Sequence, residues 1–228
     1  MPSPADRFFP FHRLNLTKNP FGTLTAAERI RVTVPSPPVR AALDDGFENL
    51  ILLGPKGVGK STALHYILNE LTTNGLTTAY ERLPNPYLRP VKTDLTPLDA
   101  FALDEMQRIA PWAALRLFRE MRGKHLLVGS HVNHVWAFRA RGRAVTVIRL
   151  VDGASEVHLA AVLQQRLAAF VKAPSQPPAI SFTPDAVSWL WARYGADQRA
   201  ITFFLYDVLQ SFQRPGTISA ADLAAYAR

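Results

Sequence analysis

Residues 54–62, "GPKGVGKST", decide the fold expected for this chain. They follow the apolar run Asn49–Leu53 and lead into "ALHYILNEL", which has the spacing of an amphipathic helix. The stretch matches G-x-x-x-x-G-K-[ST], a loop whose successive backbone N–H groups surround phosphate oxygens at the start of a helix. A strand before and a helix after are the context that such a loop requires. A plain glycine-rich turn is the alternative interpretation.

The pattern assigns a role to each part of this phosphate loop. Lys60 would reach the terminal phosphates of a nucleotide, and the Ser61 hydroxyl would bind Mg²⁺. The sequence therefore predicts a site for ATP and Mg²⁺. The expected phosphate-binding residues are Gly54, Pro55, Lys56, Gly57, Val58, Gly59, Lys60, Ser61 and Thr62.

Two carboxylates follow a second apolar run, in "DAFALDE" from Asp99 to Glu105. A buried strand whose carboxyl end opens on the site has this pattern. We expect Asp104 to act on the metal and Glu105 to orient and deprotonate the attacking water. The alternative is that both acids favour the start of a helix through its dipole.

A third apolar run, "HLLVGS", ends at Ser130 and is followed by His131. In a parallel sheet this strand would lie beside the phosphate loop. A polar side chain there could bind the γ-phosphate or hold the attacking water. Ser130 as the cap of the following helix is an equally good interpretation.

The order of elements divides the chain. Strands alternate with helices up to Leu150, which indicates a parallel sheet with helices on both faces. Four amphipathic helices without strands follow. We therefore expect an α/β nucleotide-binding core at 21–150 and a small all-α domain at 151–228, with an irregular N-terminal arm at 1–20.

In this order of motifs the chain resembles the AAA+ superfamily of P-loop ATPases. The phosphate loop, "FALDE", "LLVGSH", an arginine-rich stretch and a strand come first. "VIRLVDGASEVHLAAVLQQRL" then resembles the join between the core and the helical lid of that superfamily, and "YGADQRAITFFLYDVL" resembles its lid motif. The resemblance covers about Asn19 to Ala227.

The resemblance implies roles for further residues. Ser130 or His131 matches the sensor-1 position, and Arg199 matches the lid arginine called sensor 2. Arg139, Arg141 and Arg143 lie where members often carry an arginine finger, a cation that enters a neighbouring subunit's ATP site; which of the three does so stays open. A finger in turn implies a homo-oligomer.

One segment of the sequence departs from the usual AAA+ pattern, and another points to a particular group within the superfamily. Residues 83–98 contain four prolines, so the usual second helix and the pore loops of unfoldases are not expected. The segment "NPFGTLT" resembles bacterial transposition-regulator and secretion-pathway ATPases. There Phe21 would either cover the adenine or pack as an ordinary aromatic.

Charge and composition bear on partners and location. The 228 residues hold 26 Lys plus Arg against 18 Asp plus Glu, a formal charge of +8. The excess concentrates between Arg116 and Arg149, where it fits either DNA or a DNA-bound protein as partner, or a solvated face. There is no cysteine, no apolar stretch that could span a bilayer and no sign of a secretion signal, so we expect a cytoplasmic protein.

Together these features predict an ATPase that binds and hydrolyses Mg·ATP as a conformational or assembly switch. The alternative is a nucleotide-gated interaction module with little or no turnover. An ABC-type ATPase is not expected, because the sequence lacks an "LSGGQ"-like stretch.

Overall fold

A five-stranded parallel sheet lies at the centre of residues 35–153. The strand order is β2-β3-β4-β1-β5 in a computed structural model that describes residues 10–212 and 214–227. The strands are β1 (Asn49–Leu53), β2 (Thr78–Arg82), β3 (Ala100–Asp104), β4 (His125–Ser130) and β5 (Thr146–Arg149). Each was expected from an apolar or β-branched run, and residues 83–98 indeed contain no helix.

Helices cover both faces of this sheet, because alternate strand residues point to opposite sides. Ile51 of β1 packs in one apolar cluster with the helices Pro111–Glu120 and Val135–Arg139, whereas Leu52 packs in another with the helices Pro37–Asp45 and Lys60–Thr73. The helices of the whole chain are α1 (Ala26–Arg31), α2 (Pro37–Asp45), α3 (Lys60–Thr73), α4 (Pro111–Glu120), α5 (Val135–Arg139), α6 (Glu156–Ala169), α7 (Pro184–Tyr194), α8 (Gln198–Ser211) and α9 (Ala220–Tyr226).

The register of the strands brings the sequence motifs to one edge. Leu53, the last residue before the phosphate loop, is aligned with Ser130, and Asp104 is aligned with Gly129. All carboxyl ends of a parallel sheet meet at the same edge. The phosphate loop, the carboxylates and the end of β4 therefore share that edge, as the sequence predicts.

The second unit is helical but contains two strands that the sequence did not predict. Helices α6 to α9 surround an apolar core, beside which β6 (Ile180–Phe182) pairs in parallel with β7 (Gly216–Ile218). Each strand has three residues and lies next to a proline-containing linker, so its pattern is too short to recognise in sequence. None of the described helices is long and apolar enough to cross a membrane.

The N-terminal segment corrects the expected domain boundaries. Residues 10–34 group with residues 154–227 rather than with the sheet, so the boundaries fall at 34/35 and 153/154 instead of 20/21 and 150/151. Leu16 forms an antiparallel bridge with Val171, and the Thr17 amide donates to the Phe170 carbonyl at 2.8 Å. Residues 1–9, half of the expected arm, lie outside the described residues.

Phe21 belongs to the core of this helical unit. Its ring is 3% exposed, meets Phe182 edge to face at 6.1 Å, and lies 5.6 Å from the Arg166 guanidinium. The packing interpretation of Phe21 is the one that these contacts support.

We therefore expect Phe21→Ala to lower the free energy of unfolding of the helical unit by about 3 kcal/mol, since it removes a buried ring. Phe21→Leu should retain most of that stability, because it preserves apolar volume. Denaturant titration of both variants, followed by tryptophan fluorescence, measures the difference. Equal, negligible losses in the two variants would show that the ring contributes little to this core.

Candidate active site

The phosphate loop has the backbone that an anion cradle needs. Gly57 and Gly59 lie at φ values of 92° and 96°, in the left-handed region where side chains are disfavoured. Gly59 is the N-cap of α3 and offers no side-chain acceptor. The first N–H groups of that helix are thus left to an external acceptor, and the positive end of the helix dipole lies beside them.

The side chains of Lys60 and His131 both contact backbone carbonyls of the phosphate loop. Lys60 is 6% exposed, and its ammonium donates to the carbonyls of Gly54 at 2.7 Å and Pro55 at 2.8 Å. His131 Nδ1 lies 2.9 Å from the same Gly54 carbonyl. A proton on Nδ1 would let the ring donate to this carbonyl, and the other ring nitrogen, Nε2, lies 3.7 Å from Glu105 Oε2.

Asp104 is the most firmly held group of the site. The residue is 1% exposed. Its Oδ2 accepts hydrogen bonds from the Ser61 hydroxyl at 2.5 Å and from the Tyr80 hydroxyl at 3.0 Å. Its Oδ1 accepts a hydrogen bond from the Glu105 amide at 3.0 Å. A Cβ at Gly129 would come within 2.5 Å of Oδ1, so only glycine leaves room for this carboxylate.

Glu105 is held in an unusual conformation. Its backbone has φ 63° and ψ 41°, a left-handed conformation that costs about 1 kcal/mol for a residue other than glycine. The residue is 5% exposed, and its carboxylate accepts a hydrogen bond from Gln107 Nε2 at 2.6 Å. The carboxylate also forms an ion pair with Arg108 Nη2 at 3.1 Å and a longer one with Arg82 Nη2 at 3.7 Å.

These neighbours decide the charge of Glu105. Burial alone would raise the pKa of the carboxyl above its ordinary value of 4.5, but Arg108, Gln107, His131 and Arg82 together lower that pKa below it. Arg108 contributes most among the groups that lower it, because its guanidinium is itself buried and held by the Leu83 carbonyl at 2.9 Å. Glu105 is therefore ionised at neutral pH.

Ser130 is joined to Glu105 through one intermediate side chain. Its hydroxyl donates to Gln107 Oε1 at 3.0 Å, and the amide of Gln107 donates on to Glu105. The same hydroxyl accepts from the Val132 amide at 3.0 Å and lies 3.0 Å from His134 Nε2. Burial lowers the pKa of His134, so its ring is neutral. The N-cap of α5 is His134, so Ser130 does not cap that helix, and its role towards the γ-phosphate or the attacking water stays a prediction.

The donor set near Asp104 suits Mg²⁺. A hydroxyl and a carboxylate oxygen lie in contact there, and Mg²⁺ in nucleotide sites is held by one or two such groups together with substrate phosphates and water. Within residues 10–212 and 214–227 no cluster of three or more His, Asp and Glu side chains forms a separate metal site.

Of the three candidate finger arginines, Arg143 does not fit that role. The residue is 9% exposed, and its Nη2 donates inward to Asn49 Oδ1 at 2.6 Å and to the Met121 carbonyl at 2.9 Å. Arg139 and Arg141 are exposed at the end of α5. Arg141 also stacks on Phe118 at 4.6 Å.

Arg199 lies in the helical unit, in the first turn of α8. Its amide donates to the N-cap residue Asp197 at 3.1 Å and its side chain is exposed. The lid-arginine role of Arg199 stays a prediction.

Sequence reasoning missed Tyr80, Arg82, Gln107 and Arg108. For Arg108 a signal existed, since "DEMQR" places a cation three residues after Glu105, the spacing of an ion pair on a helical turn. The others reach the site only because β2 lies beside β3 in the sheet or because the chain turns after Glu105.

No protein-family model matches this chain. Solved structures that are similar to it include the following three. Domain III of the replication initiation protein DnaA from Thermotoga maritima has 12% sequence identity and a TM-score of 0.59, over 90% of this chain and 97% of that one. NtrX from Brucella abortus, solved with ADP, has 14% identity and a TM-score of 0.53 over 89% of this chain and 59% of that one. A DNA replication initiation factor has 12% identity and a TM-score of 0.50, with 76% of this chain and 59% of that one covered.

These likenesses establish the fold. The parallel α/β sheet with its flanking helices, followed by a helical part, is the AAA+ fold, which confirms the fold class predicted from sequence. The chain spans 59% of the replication initiation factor and of NtrX, so it corresponds to a part of each.

The dependence of Glu105 on Arg108 can be measured. Arg108→Gln should raise the pKa of the Glu105 carboxyl relative to the unchanged protein, because the group that lowers this pKa most is lost while the burial that raises it remains. Carboxyl ¹³C NMR across a pH titration reports this pKa, with Arg116→Gln as a matched control at an exposed helical ion pair.

The sign of the stability effect follows. Glu105 in the unchanged protein has a lowered pKa, so its pairing stabilises the fold above the unfolded-state pKa and this stabilisation is lost as pH falls through the folded-state value. An unchanged Glu105 pKa in the Arg108 variant would contradict this account.

Proposed function

We propose that this protein binds Mg·ATP at the carboxyl edge of its sheet and hydrolyses it as a conformational or assembly switch. The observation that carries the proposal is the convergence of Lys60, Ser61, Asp104 and Glu105, which lie in separate parts of the sequence and meet beside one phosphate loop. The ADP bound by NtrX is consistent with a nucleotide in this fold.

The residues suggest a division of labour. The Lys60 ammonium, now bonded to two loop carbonyls, would exchange them for β- and γ-phosphate oxygens. Ser61 and Asp104 would hold Mg²⁺, whose chemistry is to neutralise the charge that develops on those oxygens. Glu105, ionised, would take a proton from the water that attacks the γ-phosphorus as the bond to the ADP oxygen breaks.

Ser130 and His131 would report the state of the nucleotide to this base. Ser130 is linked to Glu105 through Gln107, and His131 spans from the Gly54 carbonyl to the vicinity of Glu105. A shift at either residue on γ-phosphate loss would change how Glu105 is held.

The remaining predicted roles concern assembly. Arg139 or Arg141, both exposed, would serve as the finger towards a second copy of the chain, and Arg199 would act from the helical unit. The charge of +8 supports DNA or a DNA-bound protein as partner in the cytoplasm.

One observation favours a slower variant of this function. The Glu105 carboxylate is already engaged by Arg108 and Gln107, so it must give up part of that pairing before it can act on water. A nucleotide-gated interaction module with little turnover is therefore the second candidate.

Glu105→Gln should abolish turnover while leaving ATP affinity within about threefold of the unchanged protein, since the amide keeps the shape but is not a base. Calorimetry measures the affinity and phosphate release measures the turnover. Glu120→Gln, at an exposed ion pair on α4, is the control that should change neither quantity. Turnover by the Glu105 variant at the unchanged rate would exclude its role as base, and no turnover by the unchanged protein would favour the interaction module.

Mixing experiments test the finger. Arg139→Ala and Glu105→Gln proteins, each inactive alone, should together recover up to about a quarter of the unchanged rate at equal mixing, because one interface in four pairs an intact site with an intact arginine. Arg141→Ala is tested in the same way to choose between the two residues. If neither mixture recovers activity, the arginine does not act across subunits.

A further inference from the structure

A second positively charged site lies at the amino edge of the sheet, where β1 and β4 begin, at the opposite end of the strands from the phosphate loop. It is a cleft of about 660 Å³ between α4 and the turn that follows α5. Four arginines and one glutamate line it, which leaves a net charge of three positive units: Arg119, Arg122, Arg141, Arg143 and Glu48.

Arg143 is the buried member of this cleft. The side chain is 8% exposed, and its Nη2 donates to Asn49, Met121 and Lys124. Nε and Nη1, however, are buried without a hydrogen-bond partner among the described residues. The nearest carboxylate oxygen, on the half-exposed Glu48, lies 3.8 Å from Nε. A buried guanidinium with three of its five N–H donors unused is costly, so its charge is under-compensated.

The other three arginines form the mouth of the cleft. Arg141 is held in place, because its guanidinium stacks on Phe118 at 4.6 Å and donates to the Ala137 carbonyl at 2.8 Å. Arg119 and Arg122 are exposed, and within the described part of the chain their side chains make no ion pair. Positive charge thus surrounds the opening as well as the floor.

We propose that this cleft binds an oxyanion of the phosphate class. Guanidinium groups match phosphate oxygens through paired N–H donors, and a net charge of three favours a multiply charged anion over a carboxylate. The phosphate comes either from a phosphodiester backbone or from a free phosphate ion. The site goes beyond the proposed ATP hydrolysis and shares no residue with the phosphate loop; Arg141, also a candidate finger, is the one residue common to both proposals.

The test uses the full chain with Lys60→Ala, which weakens phosphate binding at the loop. Inorganic phosphate is titrated against sodium chloride of matched ionic strength while the side-chain Nε–Hε NMR signals of the arginines are followed. We expect saturable shifts at Arg143 and Arg141. Arg119→Gln/Arg122→Gln should weaken the phosphate affinity about tenfold, because two charge-assisted donors are lost. Arg40→Gln, an exposed arginine of α2 on the opposite face of the sheet, is the control and should change nothing.

A second arm distinguishes the sources. A single-stranded oligodeoxythymidine that shifts the same signals, with an affinity that falls steeply with added salt, identifies a phosphodiester ligand. Shifts with phosphate alone identify the free ion. The proposal is overturned if neither probe shifts the signals, or if the signals of Arg40 and Arg143 shift equally. It is also overturned if Arg40→Gln weakens the phosphate affinity as much as the double variant does. ATP binding measured in parallel with Lys60 intact keeps this result separate from the proposed hydrolysis.

Discussion

The site depends on the buried carboxylate of Asp104. It accepts hydrogen bonds from the Ser61 hydroxyl at the start of α3, from the Tyr80 hydroxyl of β2 and from the amide of Glu105, so it ties α3 and β2 to the end of β3. Because the group is 1% exposed, each lost donor would leave a buried charge less compensated. Gly129 on the adjacent strand leaves the space in which this oxygen lies. The position of the Asp104 carboxylate therefore depends on how β3 and β4 pack together, because a larger residue at 129 would displace it.

The neighbours of Glu105 keep its carboxylate charged but also occupy its oxygens, unlike the arrangement at Asp104. The left-handed backbone of Glu105 directs its side chain away from that of Asp104. The 3₁₀-helical turn Met106–Arg108 then places the side chains of Gln107 and Arg108 against the Glu105 carboxylate. The arginine keeps the carboxylate ionised, but the same contact competes with water for its oxygens. If Glu105 acts as the proposed base, a rearrangement must first free its carboxylate from these partners.

Much of this site was predictable because its parts are local patterns. The phosphate loop, the apolar strands and the acids after Leu103 each lie within a few residues of sequence, and parallel strands place their ends together. Tyr80 and Gln107 were not predictable, since their contacts depend on the register of β2 and on the turn after Glu105. The burial of Arg143 was equally hidden, because arginines two residues apart look alike until one of them meets Asn49. Residues 10–34 were misplaced since their partners lie about 150 residues away.

The helical unit is made from two stretches of chain that are separated in sequence by the whole unit that contains the parallel sheet. A ribosome delivers the polypeptide from the N-terminus, so residues 35–153 are complete while the later half of the helical core has not been synthesised. Leu14, Leu16 and Phe21 must then stay exposed until α6 and α8 emerge. During that interval the nascent chain carries an uncovered apolar segment ahead of a folded domain, which is the situation in which chaperones protect against premature association.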